Sequence, residues 1–146
     1  MQSLLIVEDN PRDLDLTLIA LESYSDSLAI ETARDGEEAL AYLRREGRWL
    51  RRVGDDPALV LMDLKLPKMD GFDVLQEIRR TPKIALLPVV ALTSSCESRD
   101  LRRCYESGIN AFVVKPMNFG EFSKTLSFVA AFWLRLNRRP SSARTA

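Results

Sequence analysis

Three carboxylates, a hydroxyl and an ammonium each stand at the end of an apolar run in this chain. Glu8 and Asp9 follow Leu4-Leu5-Ile6-Val7, Asp63 follows Ala58–Met62, Thr93 closes Val89–Leu92, and Lys115 follows Ala111–Val114. Carboxylates brought together repel and raise one another's pKa unless a cation sits among them. The sequence has no histidine, so a Cys/His metal site and a histidine-based triad are excluded. Oxygen-only ligands select a hard ion, and a few carboxylates with water suit Mg2+, with Mn2+ or Ca2+ as substitutes. A metal, a hydroxyl and a lysine around the single carboxylate of Asp63 make a place to hold a phosphoryl group. Taken singly, each residue has an ordinary reading: an Asp ending a strand is commonly a turn residue, Thr93 a helix cap and Lys115 a solvated lysine. Their joint occurrence at successive strand ends carries the functional reading.

The elements that must position these groups are legible from period and punctuation. Ser3–Val7 reads as a short apolar strand. Asn10 reads as the N-cap of a helix with Pro11 at its first position and Asp13 in its first turn, running to about Ser23. Leu28–Ala33 is a second strand, and Asp35-Gly36-Glu37-Glu38 opens a second helix as a variant capping box. Residues 47–57 have no clean period and read as a long loop. Ala58–Met62 then forms a strand buried on both faces, broken by Pro67, Asp70 and Gly71. A helix over about Gly71–Arg80, a strand over Pro88–Thr93, a polar helix over Ser98–Ser107, a strand over Ala111–Val114 and a long helix over Phe119–Leu136 complete the pattern.

Five strands alternating with five helices predict an α/β fold, a doubly wound (βα)5 parallel sheet of flavodoxin-like order 2-1-3-4-5. That order makes strands 1 and 3 neighbours, so Glu8, Asp9 and Asp63 converge where ligands bind in open α/β sheets. The expected organisation is one domain over residues 1–137, with the loop at 47–57 and the last helix at 119–136, then a flexible tail at 138–146.

Composition excludes several classes. With 146 residues, 46% hydrophobic and 29% charged, the chain suits one globular domain. Lys plus Arg and Asp plus Glu number 21 each, so bulk charge predicts neither a nucleic-acid nor a membrane partner. The basic cluster Arg44, Arg45, Arg48, Arg51 and Arg52 reads first as a solvated face and second as an anion-recognition patch. Two cysteines, Cys96 and Cys104, suit free thiols in a reducing compartment. No apolar run approaches a membrane span, and Met1-Gln2-Ser3 lacks a signal peptide's basic region, so a cytoplasmic location is expected.

With these residues in place, the chain resembles a response-regulator receiver domain, the phosphoacceptor module of two-component signalling. The motifs are Val7-Glu8-Asp9-Asn10-Pro11, Met62-Asp63-Leu64-Lys65-Leu66-Pro67, Met69-Asp70-Gly71, Leu92-Thr93 and Val114-Lys115-Pro116, spread over residues 3–136. The resemblance implies that Asp63 takes a phosphoryl group from a sensor histidine kinase and that the chain is a switch rather than a turnover enzyme. It implies that Asp9 binds Mg2+ directly, that Glu8 acts through coordinated water, and that the Lys65 backbone carbonyl is a further ligand. Thr93 would hydrogen-bond the phosphoryl oxygen, Lys115 would pair with it, and the Lys115–Pro116 bond would be cis. Phe112 falls at the family's switch aromatic beside Thr93; lacking a hydroxyl, it can act only through ring packing. Lys65 and Ser95 fall where hydrolysis of the phosphoryl group is tuned in such proteins. A closer resemblance is to single-domain receivers that serve bacterial phytochromes, carried by Glu8–Pro11, the Arg-rich loop, Leu64–Lys68 and the long final helix.

No output domain is expected after the last helix, so the signal would leave through the surface of helix 4, strand 5 and helix 5, toward a downstream protein. In that last helix Phe122, Leu126, Val129, Trp133 and Leu136 form one stripe, while Phe128 and Phe132 lie on another face. Phe122, Phe128 and Phe132 are the residues expected to mark a homodimer interface. Three rivals stand beside this reading. One is a receiver-like module that acts without phosphate. An aspartate-nucleophile phosphohydrolase would place Asp-x-Asp after the first strand, where this chain has Glu8-Asp9-Asn10. A flavin-binding electron carrier would need a phosphate loop there rather than carboxylates.

Overall fold

The computed structural model describes residues 2–140. Five parallel strands form one sheet in the order β2-β1-β3-β4-β5. In chain order the elements are β1 (Gln2–Val7), α1 (Pro11–Ala20), β2 (Leu28–Ala33), α2 (Gly36–Arg44), β3 (Leu59–Met62), α3 (Gly71–Arg80), β4 (Val89–Thr93), α4 (Ser98–Glu106), β5 (Ala111–Val114) and α5 (Phe119–Ala130). The expected topology is the observed one.

Helix starts obey the side chains that precede them. Asn10 accepts hydrogen bonds from the amides of Arg12 and Asp13 at 2.9 and 3.1 Å, with Pro11 at the first helical position. Asp35, Asp70 and Asn118 cap α2, α3 and α5 in the same way, each accepting from the amide three residues on. Helix α1 ends at Ala20, and a separate 3-10 turn over Glu22–Tyr24 replaces the expected continuation to Ser23.

Two apolar layers sandwich the sheet. One face packs against α2 and α3 through Leu5, Val60, Leu43, Val74, Leu75 and Ile78. The other packs against α1 and α5 through Leu4, Leu61, Leu92, Leu126 and Val129. β3 and β4 are buried at every position, which is why they read as continuous apolar runs.

The long loop is built around its arginines. Arg52 lies over the Tyr42 ring, donates Nε to the Tyr42 carbonyl at 3.1 Å and pairs with buried Asp56 at 3.2 Å. Arg45 donates to the carbonyls of Arg52 and Gly54. Two members of the basic cluster are thus internal clamps that satisfy loop carbonyls, while Arg48 covers the Trp49 ring and pairs with Glu38. Arg79 performs a similar service at the far end of α3, donating to the carbonyls of Gly108, Ala85 and Leu87 and to Asn110 Oδ1.

The last helix departs from a simple α period. After Ala130 the chain continues as a π-helical segment, Ala131–Leu136, closed by a 2.7 Å bond from the Asn137 amide to the Phe132 carbonyl. The wider turn rephases the helix. Leu134 becomes buried, and Leu136, expected in the inward stripe, is 71% exposed. Phe122 is buried against the sheet, so it is corrected from interface candidate to core residue, whereas Phe128 and Phe132 are exposed. Of the expected tail, residues 141–146 lie outside the described residues.

Candidate functional site

Each site residue follows a strand whose last ladder bond fixes its backbone. Glu8 N donates to the Ala33 carbonyl at 2.9 Å, Asp63 N to the Val7 carbonyl at 3.0 Å and Lys115 N to the Thr93 carbonyl at 2.7 Å. Three side chains therefore leave the same end of the sheet, Glu8 and Asp63 from the adjacent strands β1 and β3 and Lys115 from β5, on the far side of β4. Ligand atoms of Glu8, Asp9 and Asp63 all lie within 4.8 Å of one another, with Glu8 buried, Asp63 half-buried and Asp9 exposed at the rim. An all-oxygen group graded in this way from floor to solvent fits a divalent cation.

Lys115 joins the cluster from β5. Its Nζ donates to Glu8 Oε1 at 2.6 Å, to Asp63 Oδ2 at 3.1 Å and to Asp13 Oδ2 at 3.0 Å. Burial disfavours its charge, but the bond to Glu8 and the carboxylate of Asp63 outweigh this and hold its pKa well above the lysine range. Burial dominates at Glu8 and raises its carboxyl pKa, with Lys115 pulling the other way.

The remaining expected residues take up positions around this core. Thr93 is fully buried at the end of β4, and its Oγ1 accepts from the Ser95 amide at 3.3 Å while still carrying a proton to donate. The Lys65 amide donates to Asp63 Oδ1 at 3.3 Å, which brings that residue's backbone to the site. Gly71 keeps the loop close: its amide donates to the Leu64 carbonyl at 2.7 Å, and a Cβ there would meet the Asp63 carbonyl oxygen at 2.6 Å. Phe112 is half-buried on β5, paired in register with Ala91 and packed against the α2/α3 layer. Ser95 donates to Asp100 at 2.6 Å, tying the loop after β4 to the first turn of α4. Cys96, in the same loop, is an exposed free thiol.

Two differences from expectation stand out. No cis peptide bond occurs among the described residues, so Lys115–Pro116 is trans, not cis. Trans is the favoured isomer even before proline, and Lys115 reaches all three carboxylates with its amide in the ladder. Asp13 is the residue that sequence reasoning missed. It entered only as an acid in the first turn of α1, and its sequence signal was its place four residues after Asp9 on a helix that starts beside β1.

The lysine offsets the burial of Glu8 and its repulsion by Asp63, so Lys115→Met is expected to lower unfolding free energy at pH 7 by about 3 kcal/mol. The sign with pH follows from Glu8. An acid whose pKa is raised by folding costs stability above that pKa, and the cost disappears as pH falls below its unfolded value. Loss of the lysine raises Glu8 further, so the deficit should be fullest near neutrality and fade through the carboxylate range. Urea unfolding across pH 4–8 reads this, and a deficit independent of pH would contradict it.

Comparison with known proteins agrees with this geometry. A family model for the response regulator receiver domain matches residues 4–127. The phosphorylated form of the cyanobacterial phytochrome response regulator RcpA superposes with a TM-score of 0.90 at 36% identity, over 96% of this chain and 99% of that one. The bacteriophytochrome response regulator AtBRR is 51% identical over 94% of this chain and 99% of its own, with a TM-score of 0.75. The Mn2+-bound form of Rcp1, from Synechocystis sp., is 33% identical with a TM-score of 0.88, covering 97% and 100%. The chain belongs to the response-regulator receiver family, the signalling switches of two-component systems whose general role is to accept a phosphoryl group.

Proposed function

We propose that Asp63 is the phosphoacceptor. A carboxylate oxygen of Asp63 attacks phosphorus in the phosphohistidine of a sensor kinase, the P–N bond breaks, and an acyl phosphate forms as the histidine leaves. The observation that carries this reading is the Asp63 carboxylate 3.1 Å from the Lys115 ammonium in the same pocket as Glu8 and Asp9. Asp9 and Asp63 would hold Mg2+ directly, with Glu8 through water and the Lys65 carbonyl as a further ligand. The ion supplies positive charge against the added phosphate. Lys115 pairs with a phosphoryl oxygen, and the Thr93 hydroxyl donates to another.

The output is a change of surface. Thr93 moving toward the phosphoryl group draws in the loop that Ser95 ties to α4, and Phe112 repacks in the space behind it. Completing such a two-state shift takes about 5 kcal/mol of differential affinity. The product stays on the protein until hydrolysed, so the chain works as a switch rather than a turnover enzyme. The two free thiols fit a reducing, cytoplasmic setting. Likeness to RcpA and AtBRR favours a bacteriophytochrome as the sensor kinase.

Acetyl phosphate with Mg2+ should add one base-labile phosphoryl group, read by intact mass, and Asp63→Asn should abolish it. An unmodified wild-type chain under every donor would instead favour a phosphate-independent module.

We also propose that two copies pair through the end of the last helix, where Phe128, Phe132 and Leu136 are exposed apolar side chains. Sedimentation at micromolar concentration should show a dimer that Phe128→Asp/Phe132→Asp converts to monomer. A monomeric wild-type chain would dismiss the pairing.

A further inference from the structure

We infer that Asp13 is a positioning residue, the carboxylate that retains Lys115 when a divalent cation takes the others. The inference rests on the metal-site reading above. Lys115 Nζ has three acidic partners, Glu8 at 2.6 Å, Asp13 at 3.0 Å and Asp63 at 3.1 Å. Glu8 and Asp63 belong to the group whose oxygens converge within 4.8 Å, together with Asp9, and Asp13 does not. A divalent ion bound by that group draws the charge of Glu8 and Asp63 to itself. It also stands as a second cation beside the lysine, so both attractions that hold Lys115 weaken at once. Asp13 alone keeps its full charge for the ammonium.

The local sequence builds Asp13 for this place. Asn10 caps α1 by accepting from the amides of Arg12 and Asp13, and Pro11 fixes the first helical turn. The Asp13 carbonyl accepts from Thr17 Oγ1 at 2.8 Å, and Thr17 is buried. The backbone beneath the carboxylate is therefore anchored at both ends. The Asp13 side chain is 36% exposed whereas that of Lys115 is 10% exposed, so the acid reaches from the rim down to a lysine that lies deeper in the site. In this position it keeps Lys115 beside Asp63 without occupying a metal oxygen.

The consequence is a coupling between Asp13 and metal affinity that runs through Lys115. Without Asp13, the lysine must compete with the ion for Glu8 and Asp63 or give up all of its partners. Titration of the purified chain with Mn2+, read by electron paramagnetic resonance of the free ion, measures this directly. Asp13→Asn should raise the Mn2+ Kd by about fivefold, the low end of ordinary coupling between sites. In a Lys115→Met background the same substitution should change it by less than about twofold, since the residue it acts through is gone. Asp13→Glu should restore most of the affinity. An unchanged Kd in Asp13→Asn would reduce Asp13 to a helix-start acid and overturn the inference. An equal loss in both backgrounds would also overturn it, because Asp13 would then act as a charge sensed directly by the ion. A wild-type chain that binds no Mn2+ would overturn the metal-site reading and this inference with it.

Discussion

One ammonium makes the acidic end of this sheet possible. Glu8, Asp9 and Asp63 are delivered by adjacent parallel strands whose final ladder bonds leave their backbones little freedom to separate. Two like charges within 4.8 Å of one another cost about 3.5 kcal/mol or more at an effective dielectric near 20. Burial of Glu8 adds a desolvation cost to that. Lys115 answers these costs from β5, on the far side of β4, and the strand order is what lets it reach. A cation entering the site would meet carboxylates whose backbones the strands already hold in place.

The same arrangement explains where a change at Asp63 can travel. α4 buries only Cys104, so a thin apolar contact holds it to the sheet. Its two ends are tied differently. At the start, Ser95 links the loop after Thr93 to Asp100 of its first turn. At the far end, Arg79 fastens Gly108 and Asn110, in the turn that follows α4, to α3 with charge-assisted bonds of 2.7–2.9 Å. Gly108 sits there at φ +96 with the Arg79 side chain against it, a site a Cβ would crowd. An element fixed at its end and tethered to the site at its start is placed to tilt under the movement of Thr93 proposed above.

How much of this could be read from residues depended on whether the signal was local. Strand order followed from apolar runs, caps at Asn10 and Asp35, and the handedness of parallel crossovers. The convergence of Glu8, Asp9 and Asp63 followed from that order. Asp13 was invisible because an acid in a first helical turn is explained locally by the helix dipole, and its partner lies 102 residues away. The rephasing at Ala131–Leu136 was invisible because the apolar residues there fit an α period almost as well, which misplaced Leu136 and hid Leu134. Arg45 and Arg52 read as solvated charge because composition does not reveal that their guanidinium groups close the carbonyls of a loop. The trans bond at Pro116 differs from what the family resemblance implied and has no signal in the local sequence.

The role of Asp63 as phosphoacceptor is tested most directly by a crystal structure of the chain with Mg2+ and beryllofluoride, an unreactive mimic of the phosphoryl group. Beryllium is expected bonded to an Asp63 carboxylate oxygen, with the ion among Glu8, Asp9 and Asp63, and fluorines contacted by Lys115 Nζ and Thr93 Oγ1. Lys115 should have left Glu8 while still touching Asp13. A mimic seated elsewhere, or an Asp63 carboxylate still paired with Lys115 and free of beryllium at saturating concentration, would contradict that role.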